Sequence, residues 1–481
     1  MTRLTRILAA SAACGGLGLA GLVLSFDHFM ALVAAVVLAT GGALVFVAHL
    51  GSFTPGLVLL LVTAVLFPVE LVTGQVTETG AGGAVSACFV LAAFLCVTWL
   101  VRLALVRRRM ALDASRLVVA ALVFVAIAIL SFAVGQFPWF ETNAAPMRAQ
   151  IGGLGLFVLS GGIFLVVGHE VASLRQLRSL TWLFLGTGAL ALAATLVPGT
   201  EVSVGRLRIT THGSIGSLFF TWLVAVSFSQ GVLNRDLAGS RRLLIVAVGT
   251  VALARSLFLT FSWASGWVPA TVALGVVLFF RFPRIVLCAA LLLATPALLA
   301  SGLAWDAMME RESWSWMTRV EALKVMQQVI ERSPWLGLGP ANYHYYTPLF
   351  SILGYNVRFN SHNNYVDLLA QTGIVGLLAF AWFAVEAGRL AFRVRGRTTD
   401  PFGRAYAAGV LAGLAGSLVA GLLADWIVPF VYNIGIVGFR SSVLFWFFLG
   451  GLLTLRRLAA RQAPETVPVR SRSCDLVPLR A

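Results

Sequence analysis

Long apolar runs separated by short polar stretches dominate the pattern of the chain. Each run is about twenty residues long, which is enough to cross a hydrocarbon core of about 30 Å as an α-helix. A membrane β-barrel would instead show ten-residue segments of alternating polarity, and the pattern contains none. We therefore predict an all-α, polytopic membrane protein with about 12–14 transmembrane helices. The predicted spans are 7–25, 29–49, 53–72, 83–106, 117–136, 150–168, 179–197, 214–233, 243–261, 264–281, 285–303, 372–390, 406–423 and 441–457.

Composition supports this class and orients the chain. Hydrophobic residues make up 59% of the 481 residues and charged residues only 11%, which is too apolar for a soluble domain of this size. If the N-terminus is cytoplasmic, most arginine and lysine residues fall in cytoplasmic loops or in the tail after Arg456, as the positive-inside rule requires. The net charge of +16 thus follows the topology, and we expect no nucleic-acid partner.

One large polar segment, at about 304–371, lies between spans on the outer side. We expect a single membrane domain, 1–458, followed by a basic, disordered cytoplasmic tail, 459–481. Because the chain has no soluble catalytic domain, any chemistry must occur at the outer membrane face or within the bundle. The five cysteines lie in predicted spans or in the tail, so neither a disulfide framework nor a cysteine metal site is expected.

Two helices are predicted within the large loop. The first runs from Trp316 to Arg332, where apolar residues recur at helical spacing, and Pro334 ends it. The second begins at Ser361, a candidate N-cap, and continues into the span 372–390. His362 is therefore expected in the first turn of a helix, at the outer membrane interface. The apolar residues of the first helix are Trp316, Val320, Leu323, Met326 and Ile330.

His362 is the strongest candidate for proton transfer. A helix N-terminus disfavours an imidazolium, so a neutral His362 can accept a proton, and the free N–H groups of the same turn attract an anion. The alternative is that His362 only caps the span and bonds a loop carbonyl. His344 lies among tyrosines, where a packing role is expected. The outer histidines are His28, His212, His344 and His362.

Arginines on the outer side run against the positive-inside rule and need another explanation. Arginine is an always charged, bidentate ligand for phosphate. Arg255 falls inside a predicted span, where an arginine is a functional candidate by default. No metal site is expected, because we interpret the one carboxylate pair of this loop, Glu310 and Glu312, as a solvated face. The outer arginines are Arg148, Arg206, Arg208, Arg311, Arg319, Arg332, Arg358 and Arg440.

Two stretches of the large loop resemble a known family. SHNNYVDLLAQTGIVG, at 361–376, has a His-Asn pair, an aromatic residue, an acidic residue and Gly-x-x-Gly entering a helix. TRVEALKVMQQVIERSPWLGLGPANYHYY, at 318–346, has an arginine, an amphipathic helix and a Pro-x-x-Gly-x-Gly-Pro-x-Asn-Tyr turn. Both are similar to the O-antigen ligase/polymerase family, and the polytopic layout with one large outer loop extends the likeness to nearly the whole chain.

The resemblance implies an integral-membrane glycosyltransferase of the C-type architecture in the cytoplasmic (inner) membrane. Its active site would face the periplasm or the cell exterior, with both termini cytoplasmic. It implies a polyprenyl-pyrophosphate-linked glycan as donor, a lipid or glycan as acceptor, membrane lipids as partners and no cofactor. The family histidine that activates the acceptor hydroxyl matches His362. Asn363, Asp367 and Tyr343 are supporting residues, and Asp367 is expected to orient the loop.

Arginines of this family hold the donor pyrophosphate. Arg319 matches the arginine of the large loop. GRLRITTHGSIGSLFF, at 205–220, resembles a loop-to-span stretch in which either Arg206 or Arg208 takes the role. Family members often carry Ser-Arg-Gly where a span re-enters from outside, but here the region reads ARSLFLTFSWASGWVPA. Either Arg255 takes that role from a shifted position, or Trp263 replaces the arginine.

Three functions stay open at this point. The favoured one is a ligase that moves a finished polysaccharide onto an acceptor, and the second is a polymerase that joins repeat units. The acceptor separates these two, and the motif does not name it. The third is a transporter or flippase of lipid-linked sugars, which would carry charges deep in several spans and an internal repeat. The chain shows one clear deep charge, Arg255, and no repeat.

Overall fold

A computed structural model describes residues 52–67, 69–72, 84–107, 112–195, 201–204, 207–210, 216–258, 264–299 and 320–462. The helices are α1 (Thr54–Val65), α2 (Ala87–Val101), α3 (Arg116–Val134), α4 (Met147–Glu170), α5 (Leu174–Ala194), α6 (Ser217–Phe228), α7 (Gly239–Phe258), α8 (Ala264–Arg281), α9 (Pro283–Leu299), α10 (residues 320–330), α11 (Tyr343–Tyr346), α12 (Asn364–Arg397), α13 (Pro401–Leu423) and α14 (Phe439–Gln462). The π-helical turns Arg102–Arg107 and Ser229–Leu233 extend α2 and α6, and Thr347–Leu349 and Ile436–Gly438 are 3₁₀ turns. The strands are β1 (Val69–Val72), β2 (Ala84–Ser86), β3 (Glu201–Val204) and β4 (Leu207–Thr210).

The helices confirm the predicted membrane fold. In the part of the chain that the structure describes, eight helices are long and apolar enough to cross a membrane, and α1 and α6 are shorter apolar helices. The all-α, polytopic class is therefore confirmed. Each predicted span from 53–72 onward overlaps a described helix. The predicted spans 7–25 and 29–49, and residues 463–481 of the predicted tail, lie outside the described residues. Residues 459–462, predicted as the start of a disordered tail, are instead the last residues of α14.

Successive helices place the connections of the chain at two opposite ends of the bundle. One end carries the large loop and the connection between α13 and α14; we name it the loop end. The other end is where α2, α4 and α14 finish and α5 begins; we name it the arginine-rich end. The predicted topology assigns the loop end to the outer side and the arginine-rich end to the cytoplasm.

A small antiparallel sheet at the loop end is a feature that the polarity pattern does not predict. Its strand order is β2-β1-β4-β3, so the connection after α1 pairs with the hairpin after α5. Within it, Glu70 pairs with Arg208 on one side and with Ser86 on the other. The strands have only three or four residues each, which is too short for an alternating pattern to be recognised.

Aromatic side chains fill the centre of the bundle. The helix α14 packs mainly against α4, while α13 packs against α8 and α12. Trp222 stacks on Phe448 with ring centroids 4.9 Å apart, and Phe383 stacks on Trp446 at 5.2 Å. Such packing holds transmembrane helices together where lipid offers no hydrophobic driving force. It fixes α12 and α14, whose first turns lie at the loop end.

The helix of the large loop, α10, forms where the apolar spacing predicts it and finishes before Pro334. The apolar residues that indicate this helix are not all buried. Met326 is fully buried, but Val320 and Leu323 are 48% and 49% exposed, whereas Val325 and Val329 are buried. Helical spacing predicts the helix, but it does not decide how deeply each apolar residue is buried where the helix packs on the loop.

Candidate active site

The large loop is locked into a break in α12. Gly373 has φ 68° and ψ −174° and divides α12 into a short helix before it and a long one after it. The turn 334–339 fills the break, so that backbone groups left without helical partners gain hydrogen bonds. These bonds run from Leu338 N–H to Ala370 O (2.9 Å), from Gly339 N–H to Gln371 O (3.1 Å), from Ile374 N–H to Pro334 O (2.8 Å) and from Val375 N–H to Trp335 O (3.2 Å).

Two glycines make this close approach feasible. Gly337 and Gly373 both have φ 68°, a left-handed conformation that side chains disfavour. A Cβ atom at Gly373 would overlap the carbonyl group of Trp335, and one at Gly337 would overlap the backbone of Gln371. The two glycine motifs that carry the family resemblance are therefore halves of one interlock between the loop and α12.

Asn342 ties the same turn to the connection between α3 and α4. It is fully buried, and its Oδ1 accepts a hydrogen bond from the N–H of Ala145 at 3.1 Å. Its Nδ2 donates to the carbonyl oxygens of Gly135 at 3.1 Å and Leu338 at 2.8 Å. Because every polar atom of this amide has a partner, the turn has a defined position on the bundle.

His362 lies just outside α12 rather than in its first turn. Asn363 is the N-cap, and its Oδ1 accepts hydrogen bonds from the N–H groups of Tyr365 and Val366 at 2.9 and 3.3 Å. The prediction of Ser361 as N-cap, with His362 in the first turn, is therefore wrong. Asparagine and serine cap equally well, so the sequence did not separate them. His362 itself has φ 49°, an uncommon conformation outside glycine.

The exposed ring of His362 is positioned by the connection between α13 and α14. Nδ2 of Asn433 lies 3.3 Å from Nδ1 of His362 and donates to Oδ1 of Asp425. Oδ2 of Asp425 accepts from the N–H of Phe430 at 2.6 Å. Burial raises the pKa of Asp425 to about 6, although the hydrogen bonds from Phe430 and Asn433 oppose the rise. A carboxyl group that titrates near neutral pH is thus linked to the histidine through one amide.

A second buried carboxyl group, Asp367, holds the chain next to His362. Its Oδ1 accepts hydrogen bonds from the hydroxyl groups of Tyr343 at 2.5 Å and Ser361 at 2.7 Å. Burial and the neighbouring Asp367 raise the pKa of Tyr343 well above its usual value, so the phenol stays a donor. Asp425 lies near enough to repel Asp367 electrostatically. These contacts fit the loop-orienting role expected for Asp367 and the supporting role expected for Tyr343.

Two neighbouring asparagines join α12 to the last turn of α13 and to the connection that follows it. Oδ1 of the buried Asn364 accepts from the N–H of Ile427 at 2.6 Å, and its Nδ2 donates to the carbonyl oxygen of Val428 at 2.8 Å. Nδ2 of Asn363 donates to the carbonyl oxygen of Leu422 at 3.2 Å. These contacts fit the supporting role expected for Asn363, which caps α12 and binds the last turn of α13.

His344 has the packing role expected for it. It is 5% exposed, and its ring stacks on Tyr432 with centroids 4.5 Å apart. Burial and, to a smaller extent, the charge of Arg358 lower the pKa of His344 to about 4, although the hydrogen bond to Phe359 opposes the shift. The neutral ring donates from Nδ1 to the carbonyl oxygen of Phe359 at 2.9 Å.

Two of the arginines predicted to bind pyrophosphate, Arg208 and Arg255, lie within the described residues. Arg208 lies in β4 at the loop end, paired with Glu70 and Ser203 through the backbone. Arg255 lies in the last turn of α7, where its Nε donates to Oγ1 of Thr195 at 3.2 Å. Among the contacts between described residues, none joins Arg255 to His362. Arg206, Trp263, Glu310, Glu312 and Arg319 lie outside the described residues.

Sequence reasoning did not single out Asp425, Asn433 or Asn364. Asp425 carried a usable signal, since it is the one acidic residue in its connection and directly follows an apolar span. Asn433 and Asn364 carried none, because asparagines are frequent in loops. Only the fold shows that these side chains converge on His362.

Comparisons with known proteins agree with the family resemblance. A model of the O-antigen ligase family matches residues 248–381, which include His362 and the interlock at Gly373. A comparison with curated proteins found no match. Among solved structures, the chain is similar to one that concerns the structural coordination of polymerization and crosslinking by a peptidoglycan synthase complex. That match has 17% identity and a TM-score of 0.41, and covers 73% of this chain and 99% of the other.

Proposed function

Because residues 248–381 carry an O-antigen ligase family domain, we propose that this protein is an O-antigen ligase-like membrane glycosyltransferase. It transfers a glycan from a polyprenyl-pyrophosphate donor to a hydroxyl group of a lipid or glycan acceptor. The reaction takes place at the loop end, on the outer face of the cytoplasmic membrane. The observation that carries the proposal is the exposed His362, linked through Asn433 to the buried Asp425.

His362 acts as the general base for the acceptor hydroxyl. When Asp425 is ionised, the amide of Asn433 donates to both neighbours, so Nδ1 of His362 accepts and its Nε2 carries the proton. When Asp425 is protonated, the amide can turn and place its oxygen between the two groups. Nδ1 then carries the proton, and the lone pair of Nε2 is open to the acceptor. Asp425 and Asn433 are therefore positioning residues that select the base-competent tautomer.

Arginines at the loop end stabilise the leaving group. Cleavage of the sugar–pyrophosphate bond leaves negative charge on the pyrophosphate, which guanidinium groups neutralise through paired hydrogen bonds. We assign this role to Arg319 and to Arg206 or Arg208, with Arg255 as a further candidate. Since arginines supply the positive charge, we propose that transfer needs no divalent metal ion. The polyprenyl chain stays in the apolar phase beside the bundle.

Transfer by the purified protein is the direct test of this function. The full chain is reconstituted in liposomes with a defined polyprenyl-pyrophosphate-linked glycan and offered a lipid acceptor or a second donor molecule. We expect the glycan to move to the lipid acceptor, at the same rate with and without EDTA. Elongation of the donor-linked glycan instead would show a polymerase.

Two other results would contradict parts of the proposal. Movement of intact donor across the liposome membrane without glycosyl transfer would show a transporter. Loss of transfer in EDTA, with recovery on addition of Mg²⁺ or Mn²⁺, would show a metal-dependent enzyme and would make Glu310 and Glu312 the first residues to mutate.

A further inference from the structure

A polar cavity lies at the arginine-rich end, on the opposite side of the bundle from His362. It has a volume of about 350 Å³ and is formed where the first residues of α1 and α5 meet the last turns of α2, α4 and α14. Its charged and titratable lining residues are Arg102, His169, Glu170, Arg457 and Arg461. None of them has a role in the proposed transfer reaction.

Hydrogen bonds fix most of this lining. The side chain of Glu170 is 4% exposed and accepts from Nη1 of Arg102 at 3.2 Å and from the indole N–H of Trp99 at 3.0 Å. Arg457 donates to the carbonyl oxygen of Gly168 at 2.6 Å. The cavity is therefore a built site, and it does not depend on loose surface side chains.

The described residues that line the cavity carry a net positive charge. His169 is neutral, because its Nδ1 lies 2.8 Å from the carbonyl oxygen of Leu165 and its Nε2 accepts from the N–H of Asp113 at 3.0 Å. That pattern needs one proton on the ring. Among the described lining residues, three guanidinium groups then face one carboxylate, that of Glu170. The chemistry of the lining thus favours an anion with phosphate-like geometry.

An apolar groove of about 640 Å³ adjoins the cavity along α1. Pro55, Val58, Leu59 and Val62 line it at the spacing of one helix face. The groove and the cavity share Ser52 and Gln176 in their linings. The cavity and the groove therefore form one site with a cationic part and an apolar part.

We propose that this site binds an anionic phospholipid of the membrane leaflet at the arginine-rich end. The phosphate contacts the guanidinium groups of Arg457 and Arg461, and one acyl chain lies along α1 in the groove. Basic pockets between transmembrane helices are a known form of head-group site. A free phosphate would use the cavity alone, whereas a lipid also explains the groove. The proposal is independent of the proposed transferase activity.

Native mass spectrometry of the purified full chain in detergent tests the head-group contacts. Phosphatidylglycerol and phosphatidylcholine are titrated separately into the wild type and into a double variant, Arg457→Ala with Arg461→Ala. We expect the double variant to bind phosphatidylglycerol at least about tenfold more weakly than the wild type does. Its affinity for phosphatidylcholine should change little. The matched control removes two exposed arginines of α12 at the same end, Arg393→Ala with Arg397→Ala, and should bind as the wild type does.

A second variant tests the groove. Val58→Trp fills the groove and should reduce phosphatidylglycerol binding about tenfold. The control is Val251→Trp in α7, where Val251 is 53% exposed, and this variant should bind phosphatidylglycerol as the wild type does. All variants must elute and melt as folded protein. Unchanged binding in the double arginine variant or in Val58→Trp would overturn the proposal. Competition by inorganic phosphate at the same concentration as the lipid would show a soluble anion as the ligand.

A cysteine probe distinguishes a lipid from another segment of the chain as the occupant of the groove. Val58→Cys is introduced into a protein with its five cysteines replaced, and labelled with a maleimide after delipidation. We expect fast labelling that slows when phosphatidylglycerol is added back. Slow labelling in the delipidated protein would show that the chain itself covers the groove, and the proposal would fail.

Discussion

The two ends of the bundle use polar side chains in opposite ways. At the arginine-rich end, carboxylates meet arginines: Glu170 with Arg102 at 3.2 Å, and Asp113 with Arg456. At the loop end, the buried carboxyl groups of Asp367 and Asp425 take their hydrogen bonds from hydroxyl, amide and backbone N–H groups.

This difference separates anchoring from chemistry. An ion pair joins the two elements that carry its side chains through opposite charges, and a partly exposed pair contributes at most about 1 kcal/mol. A buried carboxyl group with only neutral donors is less stable in its charged form, and burial raises the pKa of Asp425 to about 6. Such an arrangement suits proton transfer better than anchoring. The difference is consistent with the proposal that proton transfer takes place at the loop end and not at the arginine-rich end.

The largest expected effect comes from a methyl group added to α12. Gly373→Ala should abolish transfer and destabilise the protein by more than about 3 kcal/mol, because the new Cβ overlaps the carbonyl group of Trp335 at a positive φ. Gly396→Ala, on the same helix at the arginine-rich end, has no atom within 4 Å of its new Cβ. It should keep transfer and stabilise by up to about 1 kcal/mol. Melting curves and transfer rates measure both. Equal effects of the two variants would contradict the interlock.

A smaller effect is expected from the donor arginines. Alanine at Arg206, Arg208 and Arg319 together should lower transfer by about 10²-fold or more, and lysine should restore little of it, because a point charge cannot reproduce the guanidinium fork. Arg393→Lys, at the arginine-rich end, should leave the rate unchanged. Initial rates at varied donor concentration measure these effects. Full activity of the triple alanine variant would show that the pyrophosphate binds elsewhere.

The smallest change in transfer rate is expected for Asp425→Asn. The melting temperature of this variant tests the role of Asp425 more sharply than its transfer rate does. Because its folded-state pKa, about 6, exceeds the usual 3.8, the folded state loses stability as pH rises from about 4 to 6, by up to about 3 kcal/mol. Asp425→Asn removes that loss and should raise the melting temperature at pH 7.5. Its amide can still accept from Phe430 and donate to Asn433, so transfer should stay within about threefold of the wild type.

Asp113→Asn at the arginine-rich end should have the opposite sign. Burial alone would raise the pKa of Asp113, but the hydrogen bond and charge of Arg456 lower it below the usual value. Its stabilising contribution is therefore present at neutral pH and is lost as the pH falls below about 4. Asp113→Asn should therefore melt at a lower temperature than the wild type at pH 7.5.

The two variants together test the tautomer model. If Asp425→Asn also lowers the melting temperature and stops transfer, Asp425 works as an ionised carboxylate, and the tautomer model is wrong.

Much of the fold could be predicted from the sequence because membrane spans depend on local properties. Length and hydropathy identify a helix such as α3 without any knowledge of its neighbours. The sheet is different: β1 and β4 are about 140 residues apart in the chain, and their pairing depends on tertiary contacts. The buried face of α10 also depends on what packs against it.

The candidate site also combines residues that local sequence identifies with residues that only tertiary contacts bring together. His362, Asp367 and Tyr343 lie in continuous motifs, so the sequence marked them. Asn433 and Asp425 reach His362 from a connection that no motif marks, and only the packing of α13 and α14 brings them there. His362 lies before the N-cap and not in the first turn, because Ser361 and Asn363 are equally good caps and the structure uses the second.

The transfer rate of His362→Gln tests the central claim most directly. Glutamine keeps a hydrogen-bonding group beside Asn433 but cannot act as a base at neutral pH. With saturating donor and acceptor in liposomes, we predict a rate about 10²–10⁴-fold below the wild type, while membrane insertion, melting temperature and donor binding stay unchanged. A His362→Gln variant that transfers glycan at close to the wild-type rate would contradict the account.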